Sequence, residues 1–375
     1  MNNILFVFGT RPEAIKLAPL ILEFKRKRSI FNVRVCVTSQ HREMLGQVLD
    51  FFRIRPDYDL DIMRSNQSVL DVAATGLKRI EEVLTRSKPD LVIVQGDTTS
   101  TFLGALASFY GKIRVAHIEA GLRSFNKYAP YPEETNRVLT SHIADFHFAP
   151  TKKDARNLRR EGVDENVWVV GNTVVDALGL GMRLIQQKGE AKYSKTFSQL
   201  DFDRKILLVT GHRRESFGRP FENICRGLRS IVENFDDVEI VYPVHLNPNV
   251  RTPVKKILGG HSRIHLLEPL DYPHFIWLMS RAYLILTDSG GVQEEAPSLG
   301  KPVLVMRDVT ERTEGIGSGT AKLVGTDPAA IIKAASTLLR NQRSYRRMSQ
   351  AINPYGDGRA SKRILEILTR ELCTE

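Results

Sequence analysis

The sequence predicts an α/β protein with two domains, each built on a mostly parallel β-sheet. Short runs of consecutive apolar and β-branched residues alternate with helical patterns along the whole chain. Runs that are continuously apolar are typical of strands buried on both faces of a parallel sheet. The chain has 375 residues, which suggests two domains at roughly 100–200 residues each.

Ten apolar runs are predicted to be strands, and they fall into an N-terminal and a C-terminal group of five. The runs are Ile4–Phe8, Val33–Val37, Leu91–Val94, Ile113–Ile118, Phe146–Ala149, Ile206–Thr210, Val238–Tyr242, Ile264–Leu267, Leu284–Thr287 and Val303–Met306.

Helical spacing of apolar residues fills the intervals between these strands. It is clear in Ala14–Phe24, Thr99–Tyr110 and Pro220–Phe235. Ser68 and Asp71 have the spacing of an N-cap pair before a further helix. Strands that alternate with helices imply parallel sheets joined by right-handed crossovers.

The first group of strands ends near Val167–Val170, where Gly171-Asn172-Thr173 begins a helical connection, so we place the domain junction near residue 172. This gives an N-terminal domain of residues 1–172 and a C-terminal domain of residues 173–354. The polar stretch 187–203 is predicted to be a surface excursion. Residues 355–375 contain an amphipathic helix that we expect to pack back on the N-terminal domain.

Composition excludes several classes of function. The net charge of +11 favours anionic partners, but the basic runs lie on predicted helices and no nucleic-acid-binding signature accompanies them. Three widely spaced cysteines provide no metal-binding spacing and fit a reducing compartment. No apolar run approaches the ~20 residues of a membrane span. We therefore expect a cytoplasmic protein without nucleic-acid or membrane partners.

Polar and charged residues follow five of the predicted strands. In open α/β sheets, ligands bind beyond the carboxyl ends of the strands, so these residues predict one shared cleft. The segments are Gly9–Lys16, Gly96–Thr99, Glu119–Arg123, Gly211–Glu215 and Asp288–Gly291.

The residue types in these segments fit a nucleotide-linked substrate. Arg11, Lys16 and His212 could bind a diphosphate, as could the backbone amides of Gly290 and Gly291. The carboxylates able to transfer protons are those of Asp97, Glu119 and Glu133. Glu295, one turn further on, could accept two ribose hydroxyls. His245 follows another strand at the same rim, where a ligand contact and a structural role are both open, whereas His117 lies within a strand and is predicted to be a core residue.

Two common phosphate-binding signatures are missing from the sequence. No G-x-G-x-x-G follows the first strand, and no Walker A motif occurs. The glycine-rich stretch Gly315–Gly319 follows no predicted strand. We therefore expect neither a dinucleotide cofactor nor ATP hydrolysis.

The motifs resemble those of bacterial non-hydrolysing UDP-N-acetylglucosamine 2-epimerases, in the family's order and over nearly the whole chain. The resemblance implies two Rossmann-like domains facing a cleft (the GT-B type), a homodimer, and interconversion of UDP-GlcNAc and UDP-ManNAc for surface polysaccharide synthesis. It implies no metal and no redox cofactor. The matching segments are Phe8–Lys16, Gln40–Arg42, Gly96–Thr99, Glu119–Arg123, Pro132–Glu134, Gly211–Glu215, Tyr242–His245, Asp288–Glu295 and Asn353–Gly358.

The resemblance also implies roles for individual residues. Catalytic roles fall on Asp97, Glu119, Glu133 and His212. Substrate contacts fall on Arg11, Lys16, Phe275, Ser289, Gly290, Gly291, Glu295 and Arg312. A second, activating UDP-GlcNAc in some members would lie near Gln40, His41 and His245.

Five positions depart from the family pattern: Glu43, Asn66, Tyr131, Leu270 and Thr313. Glu43 and Asn66 stand at positions used for activation in regulated members, so allosteric activation is an open question here.

The mechanism implied by the resemblance is elimination of UDP and its re-addition through 2-acetamidoglucal. Which carboxylate is the acid and which is the base is not specified by the sequence. Two alternatives are an epimerase of the same family for another UDP-2-acetamido sugar and a GT-B glycosyltransferase. A basic scaffold protein that binds nucleic acid or membrane is a third reading, from a different class.

Overall fold

A computed structural model describes residues 1–38, 42–62 and 67–373 of the chain. The chain forms two compact units: Met1–Leu180 together with Gly356–Glu375, and Gly181–Tyr355. Each unit has one parallel sheet with helices between its strands, which confirms the α/β class. The predicted domain limits stay a prediction, because compactness alone does not show which segments fold independently.

The first unit has a sheet of seven strands in the order β3-β2-β1-β4-β5-β6-β7, and every neighbouring pair is parallel. The strands are β1 (Asn2–Phe8), β2 (Phe31–Val37), β3 (Tyr58–Asp59), β4 (Leu91–Gln95), β5 (Arg114–Ile118), β6 (Phe146–Ala149) and β7 (Val167–Val169). The helices are α1 (Arg11–Arg26), α2 (Arg42–Phe52), α3 (Val69–Ser87), α4 (Thr99–Tyr110), α5 (Glu133–Ile143), α6 (Lys152–Arg160), α7 (Thr173–Lys188, which continues past the unit's end at Leu180) and the C-terminal α16 (Ala360–Cys373).

The second unit has a sheet of six strands in the order β10-β9-β8-β11-β12-β13, again all parallel. The strands are β8 (Lys205–Thr210), β9 (Val238–Pro243), β10 (Ile264–Leu267), β11 (Leu284–Thr287), β12 (Val303–Val305) and β13 (Ala321–Leu323). The helices are α8 (Ala191–Thr196), α9 (Arg219–Asn234), α10 (Pro248–Leu258), α11 (Tyr272–Arg281), α12 (Gly290–Glu295), α13 (Thr313–Ser318), α14 (Pro328–Arg340) and α15 (Gln342–Ser349), with short 3₁₀ turns at Arg214–Ser216 and Ala296–Leu299.

The central strands are buried on both faces, as their continuous apolar sequences predicted. Every residue from Ile4 to Phe8 in β1 is at most 1% exposed, and the same holds from Ile206 to Val209 in β8. Strands β3 and β13 were not predicted. They have two and three residues at the sheet edges, which is too short for a periodic signal.

Helix starts follow the capping residues in the sequence. The Ser68 side chain accepts a hydrogen bond from the Asp71 amide and forms a capping box at the start of α3, which confirms the predicted N-cap pair. At the other end of the chain, the amides of Ala360 and Ser361 donate to the Asp176 carboxylate, so α16 packs within the first unit.

Most residues of the stretch 187–203 are exposed, as expected for a surface excursion, but three apolar residues in it are buried. The stretch includes α8, and Tyr193, Phe197 and Leu200 are at most 7% exposed. The Phe197 ring lies parallel to that of Trp277 in α11, with 5.5 Å between ring centroids. Three apolar side chains in a polar segment have no clear periodicity, yet they are enough to bind α8 to α11.

Both sheets reverse their strand order between two central strands. In the first unit the reversal lies between β1 and β4, and in the second between β8 and β11. Loops that leave two such strands diverge to opposite sides and open a crevice at the carboxyl edge, where ligands bind in this class of fold. Within the described residues, every helix is too short or too polar to cross a membrane.

Candidate functional site

In the first unit, Glu13 ties together the loops that follow β1 and β4. Its carboxylate accepts hydrogen bonds from the Gly9 and Thr10 amides at 3.1 and 2.7 Å, and from the Thr98 and Thr101 hydroxyls at 2.7 and 2.9 Å. Glu13 is 2% exposed, and burial raises its pKa despite these donors. Its role is not predicted by the sequence motifs. The residue fixes the two loops that carry Arg11 and Asp97.

Glu119, directly after β5, is held by two side chains from different parts of the unit. Lys16 Nζ in α1 lies 2.5 Å from Glu119 Oε2, and the Asn172 side-chain amide donates to the same oxygen at 3.0 Å. Glu119 has a φ of 65°, a left-handed conformation that is uncommon for residues other than glycine. Strained backbone of this kind is concentrated at functional sites.

Asp97, directly after β4, is fixed through both its carboxylate and its backbone. The carboxylate forms an ion pair with Arg137 in α5, and the Asn136 side chain donates to the Asp97 carbonyl at 3.1 Å. Nε2 of the buried His117 forms a hydrogen bond with the Gly96 carbonyl oxygen at 2.7 Å. Burial lowers the pKa of His117 to about 3, so the ring is neutral and donates from Nε2. His117 is thus a core residue, as predicted.

Two neighbouring glutamates at the start of α5 have different environments. Glu134 accepts from the Ser124 and Phe125 amides and pairs with Arg137, so it is structural. Glu133 has a buried Oε2 for which no hydrogen-bond partner is found in the described part of the chain. Of the two, Glu133 is therefore the carboxylate that does not support the neighbouring loop in the described residues. Tyr131, two residues earlier, is exposed.

In the second unit, buried Asp288 holds the loop that carries His212. Asp288 follows β11, and its Oδ2 accepts from the backbone amides of His212 and Arg213 at 2.7 and 2.8 Å. Asp288 is fully buried and holds the loop after β8 through its backbone. The imidazole of His212 stays partly exposed. Asp288 belongs to one of the predicted strand-end motifs, but its support of the His212 loop was not predicted.

His212 and His245 lie side by side. Their rings stack with 5.4 Å between centroids and 14° between planes, so the loops after β8 and β9 meet at one place. Desolvation lowers the pKa of His212, and His245 adds to the effect, while the Asp288 carboxylate 3.5 Å from Nδ1 offsets part of it. The imidazole therefore gains a full positive charge only below its ordinary pKa, or when an anion binds beside it.

The segment Ser289–Gly291 begins α12 and adjoins Arg312. The Ser289 amide donates to the Thr287 hydroxyl at 2.9 Å. A Cβ added to Gly290 would lie 3.0 Å from the guanidinium carbon of Arg312, so a larger residue would have to displace the Arg312 side chain slightly. The arrangement brings a cation against the backbone at the carboxyl end of β11.

Arg312 belongs to an ion-pair network that joins three loops. It pairs with Glu294 at 3.0 Å and Glu311 at 2.8 Å. Arg307 pairs with Glu311 at 2.9 Å and with Glu215, in the loop of His212, at 2.6 Å. Burial raises the pKa of Glu311, but the guanidiniums of Arg312 and Arg307 outweigh it and lower the pKa to about 2. Glu311 stays ionised and holds both arginines in place.

Glu295 and Phe275 lie on neighbouring helices. The Tyr272 hydroxyl at the start of α11 donates to Glu295 Oε1 at 3.1 Å, and both residues are buried. Phe275, one turn along α11, is half-buried. Half-buried Leu270 lies just before this helix, and Thr313 begins α13.

The predicted site residues therefore gather at the carboxyl edge of each sheet. Arg11, Lys16, Asp97 and Glu119 follow β1, β4 and β5, and Glu133 begins the next helix. In the second unit, His212, His245 and Ser289–Gly291 follow β8, β9 and β11. Gln40 and His41 lie outside the described residues, as does Asn66, and the Glu43 side chain is not described. The described residues contain no group of three or more His, Cys, Asp and Glu side chains that could hold a metal ion.

Sequence reasoning missed the residues that support the site: Glu13, Arg137, Asn172, Tyr272 and Asp288. Arg137 could have been found, because it lies four residues after Glu133 and so on the same face of a helix. The others contact residues that are distant along the chain, and no local pattern marks them.

Known proteins similar to this chain agree in sequence and in fold. Residues 23–369 match the protein family described as UDP-N-acetylglucosamine 2-epimerase. The UDP-N-acetylglucosamine 2-epimerase of Escherichia coli K12 is 53% identical over 370 residues, which cover 98% of each protein. That of Yersinia pestis is 53% identical over 375 residues, covering 99% of this chain and 100% of the relative.

Two solved structures extend the comparison. The UDP-GlcNAc 2-epimerase of Neisseria meningitidis, bound to UDP-GlcNAc, has a TM-score of 0.93 at 46% identity, covering 98% of this chain and 100% of its own. That of Methanocaldococcus jannaschii, in complex with UDP-GlcNAc and UDP, has a TM-score of 0.82 at 36% identity, covering 98% and 99%. The fold, the strand-end motifs and the full-length identity together show that the chain belongs to the UDP-N-acetylglucosamine 2-epimerase family.

Proposed function

We propose that this chain interconverts UDP-GlcNAc and UDP-ManNAc by inverting C2 of the sugar, without releasing free ManNAc. The observation that carries the proposal is the carboxyl edge of β8 and β11. There His212, the amides of Gly290 and Gly291, and Arg312 form a surface suited to a diphosphate, with the Glu295 carboxylate one turn away for a ribose. Homologues bound to UDP-GlcNAc and UDP support this choice of substrate.

The reaction proceeds by elimination and re-addition. One carboxylate takes the C2 proton while the C1–oxygen bond breaks, which gives UDP and 2-acetamidoglucal. UDP then adds back to C1 as a proton arrives on the opposite face of C2. No electrons are exchanged overall.

Each set of residues opposes a charge that develops in the transition state. Cleavage at C1 builds negative charge on the diphosphate, which His212, Arg312, Arg11 and Lys16 stabilise. Positive charge builds on the sugar ring near Asp97, Glu119 and Glu133. Among them, these three carboxylates supply the acid, the base and an electrostatic partner, in an order that is not assigned. Phe275 contacts the uracil.

The test is to incubate the protein with UDP-GlcNAc in heavy water, with no acceptor, and to follow the products by NMR. The expected result is UDP-ManNAc with deuterium at C2. A product with protium at C2 would exclude the elimination route. Free ManNAc would indicate a hydrolysing enzyme, and turnover only in the presence of an acceptor would indicate a glycosyltransferase.

The sugar could also be a different UDP-2-acetamido sugar. The site features above concern recognition of UDP and the reaction at C2. They do not distinguish sugars that differ at C3 or C6. Comparing kcat/KM for UDP-GlcNAc with that for UDP-2-acetamido sugars altered at C3 and C6 separates the two readings. We propose the cytoplasm as the location, because the sparse cysteines fit a reducing compartment, and supply of surface polysaccharide synthesis as the role.

A homodimer is the assembly that we propose, formed through the face of α3 and α4. Val69 and Leu70 at the start of α3, and Phe109 and Tyr110 at the end of α4, are 52–78% exposed. A groove of about 730 Å³ along these helices is lined by Tyr110, Lys78, Glu81 and Lys88, among other residues. Apolar side chains with both signs of charge suit an interface that pairs with itself.

Light scattering with size exclusion measures this assembly. Phe109→Glu should shift a dimer to monomer, whereas Ile352→Glu, a change at an exposed residue of the second unit, should leave the dimer intact. A monomeric wild-type protein would contradict the homodimer.

A further inference from the structure

Tyr272 contacts Glu295, a proposed substrate-binding residue, but has no function in the mechanism above. It is 3% exposed, and its hydroxyl donates to Glu295 Oε1 at 3.1 Å. The two residues are 23 positions apart and lie on different helices, α11 and α12. A buried phenol whose hydroxyl meets one carboxylate oxygen restricts the orientation of that carboxylate.

The other carboxylate oxygen points to the beginning of α12. A Cβ added to Gly291 would lie 4.0 Å from both Glu295 Oε2 and Ser289 Oγ. Glu295 and Ser289 therefore face one common space above Gly291. That space adjoins the amides proposed to bind the diphosphate, which is where the ribose of a nucleoside diphosphate would lie.

The helix that carries Tyr272, α11, is anchored by contacts at its start and along its length. The Asp271 side chain caps the helix and accepts from the His274 amide. Further along, the Trp277 ring stacks on Phe197, and its indole donates to Glu190 at 3.0 Å. A rigid helix lowers the ordering cost of ligand binding, because the group is already in position.

We propose that Tyr272 is a positioning residue that orients the Glu295 carboxylate toward the ribose hydroxyls and so makes the site specific for ribonucleotides. The inference rests on the proposed function. An ionised carboxylate has about four acceptor positions, and the Tyr272 hydroxyl bonds to one of its two oxygens. Sites built to bind a hydroxyl discriminate strongly against analogues without it.

The experiment measures binding of UDP, 2′-deoxy-UDP and 3′-deoxy-UDP by isothermal titration calorimetry. Wild-type protein should prefer UDP by roughly 10- to 100-fold, as expected for a hydrogen bond to a charged group. Tyr272→Phe should reduce that preference about tenfold, while its affinity for the deoxy analogues changes less than about threefold. The preference is the decisive readout, since a merely structural defect would weaken all three ligands equally.

Tyr345→Phe is the matched control. It removes one phenol hydroxyl, which donates to the Tyr283 carbonyl at 3.0 Å elsewhere in the same unit, and it should keep the wild-type preference. The double variant Tyr272→Phe/Glu295→Ala should have the same preference for UDP over the deoxy analogues as Glu295→Ala alone. The reason is that the tyrosine acts through the carboxylate, which both variants lack.

Three outcomes would overturn the inference. The first two are a wild-type preference in Tyr272→Phe and an equal loss of affinity for all three ligands. The third, a wild-type protein without any preference for UDP, would also refute the ribose role of Glu295. Turnover of UDP-GlcNAc by the same preparation is measured separately, so failure of this inference is distinguishable from failure of the proposed function.

Discussion

The two units share a topology but carry different chemistry at the same place. In the first unit, the crevice between β1 and β4 is bordered by the carboxylates of Asp97 and Glu119, each held by a cation. In the second, the corresponding crevice between β8 and β11 carries an imidazole and glycine amides, and its carboxylate, Asp288, is buried beneath the loop. One unit presents acids, and the other presents donors for an anion.

This difference shows that the fold supplies a position and the loop residues supply the reaction. Both crevices arise from the reversal of strand order, which is the same in the two sheets. What differs is where each carboxylate lies. The acids of the first unit are partly accessible, whereas Asp288 is fully buried and serves the backbone.

The strongest test of the contrast is to neutralise the acids of the first unit. Asp97→Asn, Glu119→Gln and Glu133→Gln should each lower kcat by roughly 10²- to 10⁴-fold, the range for lost acid–base groups. UDP affinity should stay within about threefold, because the proposed diphosphate and ribose contacts lie mainly in the second unit. Turnover by NMR and UDP titration measure the two quantities.

Glu366→Gln, at an exposed position on α16, is the control and should have normal turnover. Near-normal turnover in all three acid variants would refute the catalytic assignment and with it the contrast between the units.

The second test removes the buried acid of the second unit. Asp288→Ala takes away the acceptor for the His212 and Arg213 amides, so the loop loses its support. UDP affinity should fall roughly 10- to 100-fold, on the scale of hydrogen bonds to a charged group. Asp288→Asn keeps an acceptor oxygen and should recover part of the loss, whereas Asp203→Ala at an exposed position should have no effect. Unchanged UDP affinity in Asp288→Ala would contradict the supporting role.

The third test distinguishes a structural histidine in the first unit from His212, and its effect at any one pH step is small. Burial lowers the pKa of His147 to about 4, against about 6.5 in an unfolded chain. The neutral ring therefore contributes stability above pH 6.5 that is lost as the pH falls toward 4. The free energy of unfolding should decrease by at most about 1.4 kcal/mol per pH unit in this window, relative to His147→Gln.

Urea unfolding followed by Trp168 fluorescence, in a Trp277→Phe background, reports on the first unit. Trp168 stacks on Phe148, the residue after His147, so the signal is local. His142→Gln alters an exposed histidine whose charge lowers the pKa of His147 less than burial does, so it should reduce the pH dependence only slightly. Equal slopes for wild type and His147→Gln would show that burial does not keep the ring neutral.

The sequence by itself determined the α/β class, most of the strands and the family. Continuous apolar runs such as Ile4–Phe8 carry enough local information to specify a buried strand, and the residues directly after each strand are at the ligand edge by topology alone. The edge strands β3 and β13 were missed because two or three residues carry no period. The short apolar contacts of α8 were missed for a similar reason.

Only the tertiary structure decided how the candidate site is supported. Glu13 joins loops 85 or more residues apart, Asp288 holds a loop 76 residues away, and Tyr272 meets Glu295 across two helices. These contacts depend on the packing of elements that are distant along the chain. A pattern of neighbouring residues predicts which side chains lie at the sheet edge. The partner that holds each side chain depends on how the sheets and helices pack.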